Sequence, residues 1–450
     1  MVRVDEQHRW ERINGRLLLW SLTSALAGFL FGFDTVVISG AEQQIQALWS
    51  LTPAAHGMAM ASTLYGTVAG ALLGAWPTDR YGRRPTLIAI GLLYFVSAIW
   101  SALAGDVQSF IAARLIGGFG IGVSTVAAPL YISEIAPPRY RGLLAGSFQF
   151  NIVLGICIAY LSNALLAGLG DGAWRWMLGV AALPSALYTA LSLFIPESPR
   201  WLLTKRRNRS AGLAVLRLIQ PNASSDQIQG EAEEIVASSQ QVAGGAFWSK
   251  ALSKPILLAF LVAFFNQLSG INAVLYFAPR IFEMGGLARQ AAMLQSVGIG
   301  VTLAAFTFAG IWLIDRAGRR TLLVIGSWGY IASLALISWS FFSNMYALIP
   351  FGIFAFVAAH AVGQGTVIWV FIAEVFPNEQ RAAGQSLGSS THWVFAALIT
   401  TFFPLAASRV APGYIFAFFC GMMVLQLIWV KAMVPETKGF PLEKVRNILN

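Results

Sequence analysis

Twelve long apolar stretches leave this chain few ways to fold. They lie at about residues 17–41, 57–77, 86–105, 110–132, 143–166 and 175–195, then 254–282, 291–314, 321–342, 347–375, 383–406 and 412–433. A helix needs about 20 predominantly apolar residues to cross hydrocarbon. In lipid no water satisfies a bare N–H or C=O, so a spanning segment must close its own hydrogen bonds, as a helix does. The expected fold class is an all-α membrane protein with twelve transmembrane helices. Gly and Pro within several runs do not oppose this, because membrane helices tolerate them better than soluble ones.

Charge usage agrees. Hydrophobic residues make up 57% of the chain and charged residues 11%, against about 25% charged in soluble domains. The net charge of +10 would raise the question of nucleic acid in a soluble protein. Here the basic residues sit in short clusters between apolar runs, with no aromatic-basic platform, so nucleic acid is not an expected partner. Cys157 and Cys420 both fall in apolar runs and read as small hydrophobes rather than a disulfide or metal site. Residues 1–16 are polar and basic without a cleavable leader pattern. Asn208-Arg-Ser and Asn222-Ala-Ser fall in a loop expected in the cytoplasm and read as chance glycosylation matches.

An even number of spans puts both termini on one side. That side carries 25 of the Lys and Arg residues. The other carries four, Arg175, Arg280, Arg289 and Arg409, and Arg114 lies inside a span. The positive-inside rule then places both termini in the cytoplasm. The one long polar segment, residues 197–252, has Leu/Ile spacing around 211–219 and 228–235 that suggests short amphipathic helices. It divides the chain into a bundle at 1–196, a helical linker at 197–252, a second bundle at 253–435 and a tail at 436–450.

The halves repeat each other. Asp79-Arg-Tyr-Gly-Arg-Arg84 recurs as Asp315-Arg-Ala-Gly-Arg-Arg320. Glu134, seven residues before Arg141, recurs as Glu374 before Arg381. Pro196-Glu-Ser-Pro-Arg200 recurs more weakly as Pro435-Glu-Thr-Lys-Gly439. The offsets are 236, 240 and 239 residues. Three matches in register, each at a span end on the terminal side, imply a duplicated six-span unit, the plan of many secondary transporters. On their own these charged span ends read as topology signals.

These motifs resemble the major facilitator superfamily, and its sugar porter family in particular, over nearly the whole chain. Asp-Arg-x-Gly-Arg-Arg is superfamily-wide, and organic-ion carriers share sequences like Pro196-Glu-Ser-Pro-Arg-Trp201. Gln267-Leu-Ser-Gly-Ile-Asn-Ala273 is the most specific string. With Pro435-Glu-Thr-Lys-Gly439 it is similar to bacterial monosaccharide/proton symporters and facilitative glucose transporters. The resemblance implies two pseudo-symmetric six-helix bundles and alternating access. It implies that Asp79, Arg83, Arg84, Glu134, Arg141 and Glu197, with Asp315, Arg319, Arg320, Glu374, Arg381 and Glu436, form ion-pair networks closing the cytoplasmic side.

A monosaccharide offers hydroxyls that donate and accept, and an apolar C–H face. Amide side chains match the first and aromatic rings the second. Gln149 lies in span five, Asn266, Gln267, Asn272 and Tyr276 in span seven, Trp369 in span ten and His392-Trp393 in span eleven. Gln267, Asn272 and Tyr276 are spaced for broadly one helical face. Any one amide can equally be glue between helices. By resemblance, Gln149, Gln267, Asn272 and Trp369 contact sugar, with Phe31 and Tyr276 beside them. The chain departs from many relatives in Asn266 for Gln, Leu303 for Asn and His392 for Asn or Gln. Gly363-Gln-Gly-Thr-Val-Ile-Trp369 lacks prolines common in the family. These departures bear on which sugar is preferred.

Asp34 and Arg114 are ionisable groups expected inside spans, where charge is costly. They read as a fixed ion pair or as a proton site. The resemblance favours the second, because proton-linked sugar porters carry Asp here and facilitative relatives typically carry Asn. The expected function is proton-coupled monosaccharide symport, with a facilitative sugar uniporter, a carrier of another small solute and a sugar-sensing receptor as alternatives. The proton is the only coupling agent expected, with no cofactor or metal, and the unit is a monomer. No nucleophile–base–orienter set points to an enzyme. The short first extracytoplasmic loop, about 42–56, resembles bacterial members and suggests an inner membrane.

Overall fold

Every apolar run is helical in the computed structural model, which describes residues 14–137, 140–240, 247–377 and 380–438. Spans one to six are Gly15–Leu48, Pro53–Leu73 continued at a 49° bend by Ala75–Tyr81, Arg83–Leu103, Val107–Ile135, Arg141–Leu166, and Ala173–Gly179 with Ala182–Ser192. The 47-residue helical run Gly146–Ser192 would reach about 70 Å if straight, over twice the hydrocarbon thickness. It turns back at Gly170, whose φ is 78°. Gly28 and Gly40 of span one pack on Phe148 and Asn163, so span five runs parallel to span one. Arg175 bonds the Ala102 carbonyl while Thr189 packs on Gly91, so span six returns antiparallel to span three.

The second half follows the same order. Span seven is Ser253–Leu268, Ile271–Tyr276 and Ala278–Met284. Spans eight and nine are Arg289–Ala317 and Arg319–Phe342. Span ten is Ile349–His360, a π-helical turn at Ala361–Gly365, and Thr366–Val375. Spans eleven and twelve are Arg381–Arg409 and Pro412–Met433. Twelve spans in two six-helix bundles is the fold the sequence implied. Between the bundles lie Pro199–Thr204, Arg209–Ile219 and Ser225–Gln240. Leu203, Leu216, Ile228, Ala232 and Ile235 bury one another there as a small core of their own. The expected tail falls outside the described residues beyond position 438, as do residues 1–13 and the side chain of Arg141.

Two expectations need correcting. Span one does not end near residue 41. It runs to Leu48, so the expected loop at 42–56 shrinks to Trp49–Thr52. The polar residues of its last turns find partners that the sequence does not reveal: Glu42 pairs with His56 and Arg280, and Gln44 bonds the Gly170 carbonyl and the Trp174 N–H. Asp34 is therefore not the only buried acid of a spanning helix. Second, span seven is not one continuous face. It breaks at Ser269 and Gly270, the latter with φ 85°, and again at Phe277, so Gln267 sits on one segment and Asn272 and Tyr276 on the next.

The Asp-Arg-x-Gly-Arg-Arg motif makes a tight reversal between spans two and three, and again between eight and nine. Its glycines, Gly82 and Gly318, have φ of 103° and 93°, a region that L side chains rarely enter. A Cβ on either would strike a carboxylate, Glu197 or Glu436. The residue must be Gly because the acid of the third repeated motif seats against it.

Candidate functional site

Each turn leaves helix N–H groups without partners, and an acid supplies them. Glu197 Oε1 accepts from the Arg83 amide at 2.9 Å, and Glu436 Oε1 accepts from the Arg319 amide, also at 2.9 Å. Burial lifts the Glu197 carboxyl above its usual range, and hydrogen bonds from the Ser198, Arg83 and Arg84 amides oppose that. The following guanidinium grips a second acid through two bonds. Arg83 meets Glu134 at 2.8 and 2.8 Å, and Arg319 meets Glu374 at 3.0 and 2.8 Å. Each Arg also reaches the motif's own Asp, Asp79 at 3.2 Å and Asp315 at 3.0 Å. Arg84 and Arg320 instead cap helix ends at the Leu193 and Lys431 carbonyls, so Arg83, not Arg84, is the partner of Glu134. Arg381 bonds the Ala373 carbonyl. Each network lies within its own half and joins the ends of four spans.

The halves enclose a central cavity of about 680 Å³, within the range of small-molecule sites, about 300–1,000 Å³. Phe31, Gln149, Asn266, Gln267, Asn272, Trp369 and His392 all line it. Tyr276 does not line it; its ring is buried and its hydroxyl has no protein partner. Gln267 Nε2 donates to Asn266 Oδ1 at 3.0 Å and lies 3.2 Å from both ring nitrogens of His392. Gln267 Oε1 and Asn272 Nδ2 are buried without protein partners. Buried polar atoms are nearly always paired, so these two offer an acceptor and a donor to whatever enters. Leu303 also lines the cavity and adds nothing polar.

Aromatic rings complete the lining. Phe31 from the first half meets Trp393 from the second edge-on at 5.4 Å. His392 packs against Trp369 and Trp393 at 5.2 and 4.7 Å. Sequence reasoning missed Gln385, His360 and Thr35, which also face the cavity. Gln385 was an amide in an apolar span, the signal used for the others. His360 carried the signal that singled out His392, a histidine within an apolar span.

The ion pair lies one residue from the cavity wall. Thr35 lines the cavity, while Asp34 turns away to Arg114 of span four. Arg114 Nη1 reaches Asp34 Oδ1 at 2.6 Å, Nη2 reaches its carbonyl at 3.2 Å, and the side chains are 2% and 9% exposed. Asp34 Oδ2 is buried without a protein partner. One end of the cavity is lined by Leu72, Ala75 and Ala382, at the terminal-side ends of spans two and eleven. At the far end the halves are tied. Arg280 of span seven grips Glu42 of span one, and Tyr65 of span two bonds Thr401 of span eleven at 2.8 Å. The cavity therefore faces the side that carries the termini.

Comparison with known proteins agrees with this geometry. The family model "Sugar (and other) transporter" matches residues 20–449. The arabinose-proton symporter of Bacillus subtilis is 33% identical over 442 residues, covering 96% of this chain and 95% of that protein. The D-xylose-proton symporter of Escherichia coli K12 is 30% identical over 467 residues, covering 95% and 94%. Among solved structures, the partially occluded inward-open conformation of the xylose transporter XylE from E. coli aligns with a TM-score of 0.85 at 29% identity. It covers 95% of this chain and all of that one.

Proposed function

Because the chain belongs to the sugar transporter family, we infer that it is a secondary active transporter that carries a monosaccharide together with a proton by alternating access. It is an integral bacterial membrane protein. The observation that carries the reading is one cavity between the halves with unpartnered amide atoms on its wall and a buried carboxylate–guanidinium pair directly behind it. Gln149, Asn266, Gln267, Asn272 and His392 hold sugar hydroxyls, with Phe31 and Trp369 against the C–H face and Tyr276 behind. The termini are cytoplasmic, as the Lys/Arg asymmetry supports, so the cavity opens to the cytoplasm. The unit works as a monomer, and the proton is its only coupling agent.

Asp34 and Arg114 supply the coupling. Ionised, Asp34 is held by Arg114 and ties span one to span four. Protonated, it loses most of that attraction. Phe31 and Thr35 lie on the same helix and line the cavity, so span one's position is felt by the sugar. The two binding equilibria then depend on each other, and such linkage is reciprocal. On the cytoplasmic side the Arg83–Glu134 and Arg319–Glu374 networks, with Arg141 and Arg381, keep each half rigid and form the surfaces that meet when that side closes.

Uptake of labelled pentoses and hexoses into proteoliposomes, with and without an inward proton gradient, tests this reading. Accumulation of at least one sugar above equilibrium under the gradient is the expected result. Uptake that only equilibrates in both conditions makes the chain a facilitator, and no uptake of any sugar overturns the substrate class.

A further inference from the structure

A second cluster of ionisable groups is buried between the halves, away from the cavity and the proton pair. Glu42 lies two helical turns beyond Asp34 on span one. Its side chain and that of His56 on span two are 0% exposed. Across the seam, Arg280 of segment Ala278–Met284 donates from Nε to Glu42 Oε1 at 2.8 Å. Its Nη2 donates to Glu42 Oε2 at 2.7 Å and to Gln46 Oε1 at 2.6 Å. Gln43 Nε2 donates to Glu283 Oε2 at 2.8 Å. His56 Nε2 lies 2.8 Å from Glu42 Oε2, and its ring meets Phe277, the joint between two segments of span seven, edge-on at 6.2 Å.

A carboxylate fully removed from water is costly unless a cation or several donors replace the solvent. Among the described residues, the Arg that meets Glu42 comes from the opposite half. His56 reaches Glu42 Oε2 from the same half, but the two-bond grip of Arg280 is present only while the halves meet at the far end. Separation of the halves there must exchange Arg280 for water. The clasp also joins two working elements: Glu42 shares a helix with Asp34, and Arg280 sits on the segment next to the one bearing Asn272. We propose that Glu42 and Arg280 are the gate pair of the far side, holding it shut while the cavity faces the termini and parting in the step that admits sugar. His56 is a positioning residue that holds the Glu42 carboxylate toward Arg280. The proposal rests on alternating access, but its test uses neither sugar nor gradient, so it stands or falls apart from the transport reading.

The test is a distance between spin labels at the exposed far-side positions Leu48 and Gln290, with Cys157 and Cys420 replaced by Ser. Wild type should give mainly the short distance. Glu42→Gln and Arg280→Gln should each raise the long-distance population about tenfold or more. The double variant should go no further than either single one, because both remove the same contact. Arg280→Lys should keep most of the short population, and His56→Gln should fall between it and the Gln variants. An unchanged distribution in Glu42→Gln and Arg280→Gln, or additive effects in the double variant, overturns the proposal. If the Gln variants fail to fold, the charge-swapped Glu42→Arg/Arg280→Glu protein decides: a restored short distance upholds the clasp, and a persistently long one rejects it.

Discussion

The two halves match closely at their charged ends and differ where they face each other. At the terminal side, Arg83, Glu134, Asp79 and Glu197 reproduce the contacts of Arg319, Glu374, Asp315 and Glu436 nearly bond for bond. In the interior the correspondence stops. Span one and span four of the first half are unbroken helices, and they carry Asp34 and Arg114. Their counterparts, spans seven and ten, are jointed, the first at Gly270 and Phe277 and the second at a π-helical turn, and they carry Asn266, Gln267, Asn272, His360 and Trp369, while Gln149 faces the cavity from span five. A dry ion pair needs fixed geometry, because each charge relies on the other in place of water. A site that must seize and release a neutral solute gains from segments that can move separately. We propose that duplication supplied one frame and that the interiors divided the work, proton coupling on the rigid side and most sugar contacts on the jointed one.

Neutralising the acid on the rigid side is the most severe way to break this division. Asp34→Asn mimics the protonated form permanently, so gradient-driven accumulation should be lost while sugar binding or exchange remains measurable. Removing Arg114 should also damage transport, because it strands a buried carboxylate without its cation. Accumulation under an imposed pH difference is the measurement. An Asp34→Asn protein that still concentrates sugar places the proton site elsewhere, and with it the proposed division.

On the jointed side the expected loss is smaller. Removing one buried hydrogen-bond partner costs about 1–3 kcal/mol, so Gln267→Ala should weaken sugar binding by roughly 5- to 150-fold. Calorimetry on folded protein measures this, and wild-type affinity would take Gln267 out of the site. The same substitution should leave proton binding in the absence of sugar nearly unchanged if the halves have divided the work.

Much of this was legible in the sequence, for physical reasons. Lipid demands long apolar helices, so the spans and their number could be read directly. The repeated motifs could be read because turn geometry at Gly82 and Gly318 dictates residue type. Polar side chains in apolar runs are rare enough to mark a site, and seven of the eight binding candidates do line the cavity. What the sequence hid depends on packing at long range. Glu42 looked like a loop residue because its partners, His56 and Arg280, are 14 and 238 positions away. Tyr276 was given the same face as Gln267 because periodicity holds only within an unbroken helix, although Ser269-Gly270 was a visible breaker.

The matched ends should respond alike, but not equally. Glu134→Gln removes the charge of a carboxylate only 6% exposed, whereas Glu374 is 17% exposed and also accepts from Thr437 at 2.6 Å. Both substitutions should shift the population further toward forms open on the terminal side, Glu134→Gln by more. Distances between labels on the terminal-side ends of the two bundles provide the readout. An unchanged distribution in both variants would leave the networks as topology signals alone.

The smallest effect concerns the acid that caps the first-half turn. Burial raises the Glu197 carboxyl above its ordinary value, and its hydrogen bonds to the Ser198, Arg83 and Arg84 amides only partly offset this. An acid with a raised folded-state pKa binds more protons in the folded state than in the unfolded one over the interval between the two values. Stability from this group is therefore fully present below the ordinary glutamate range and is lost as pH rises through the folded value. Glu197→Gln removes the titration while leaving an oxygen that can still accept from the Arg83 amide. Melting in detergent at a series of pH values from mildly acidic to neutral should show wild type losing more stability than Glu197→Gln as pH rises. The Gln variant should keep its bundle folded across that range, since Gly82 still admits the side chain. Parallel profiles for the two proteins would mean that the amide hydrogen bonds outweigh burial, and that Glu197 stays ionised as it caps the turn.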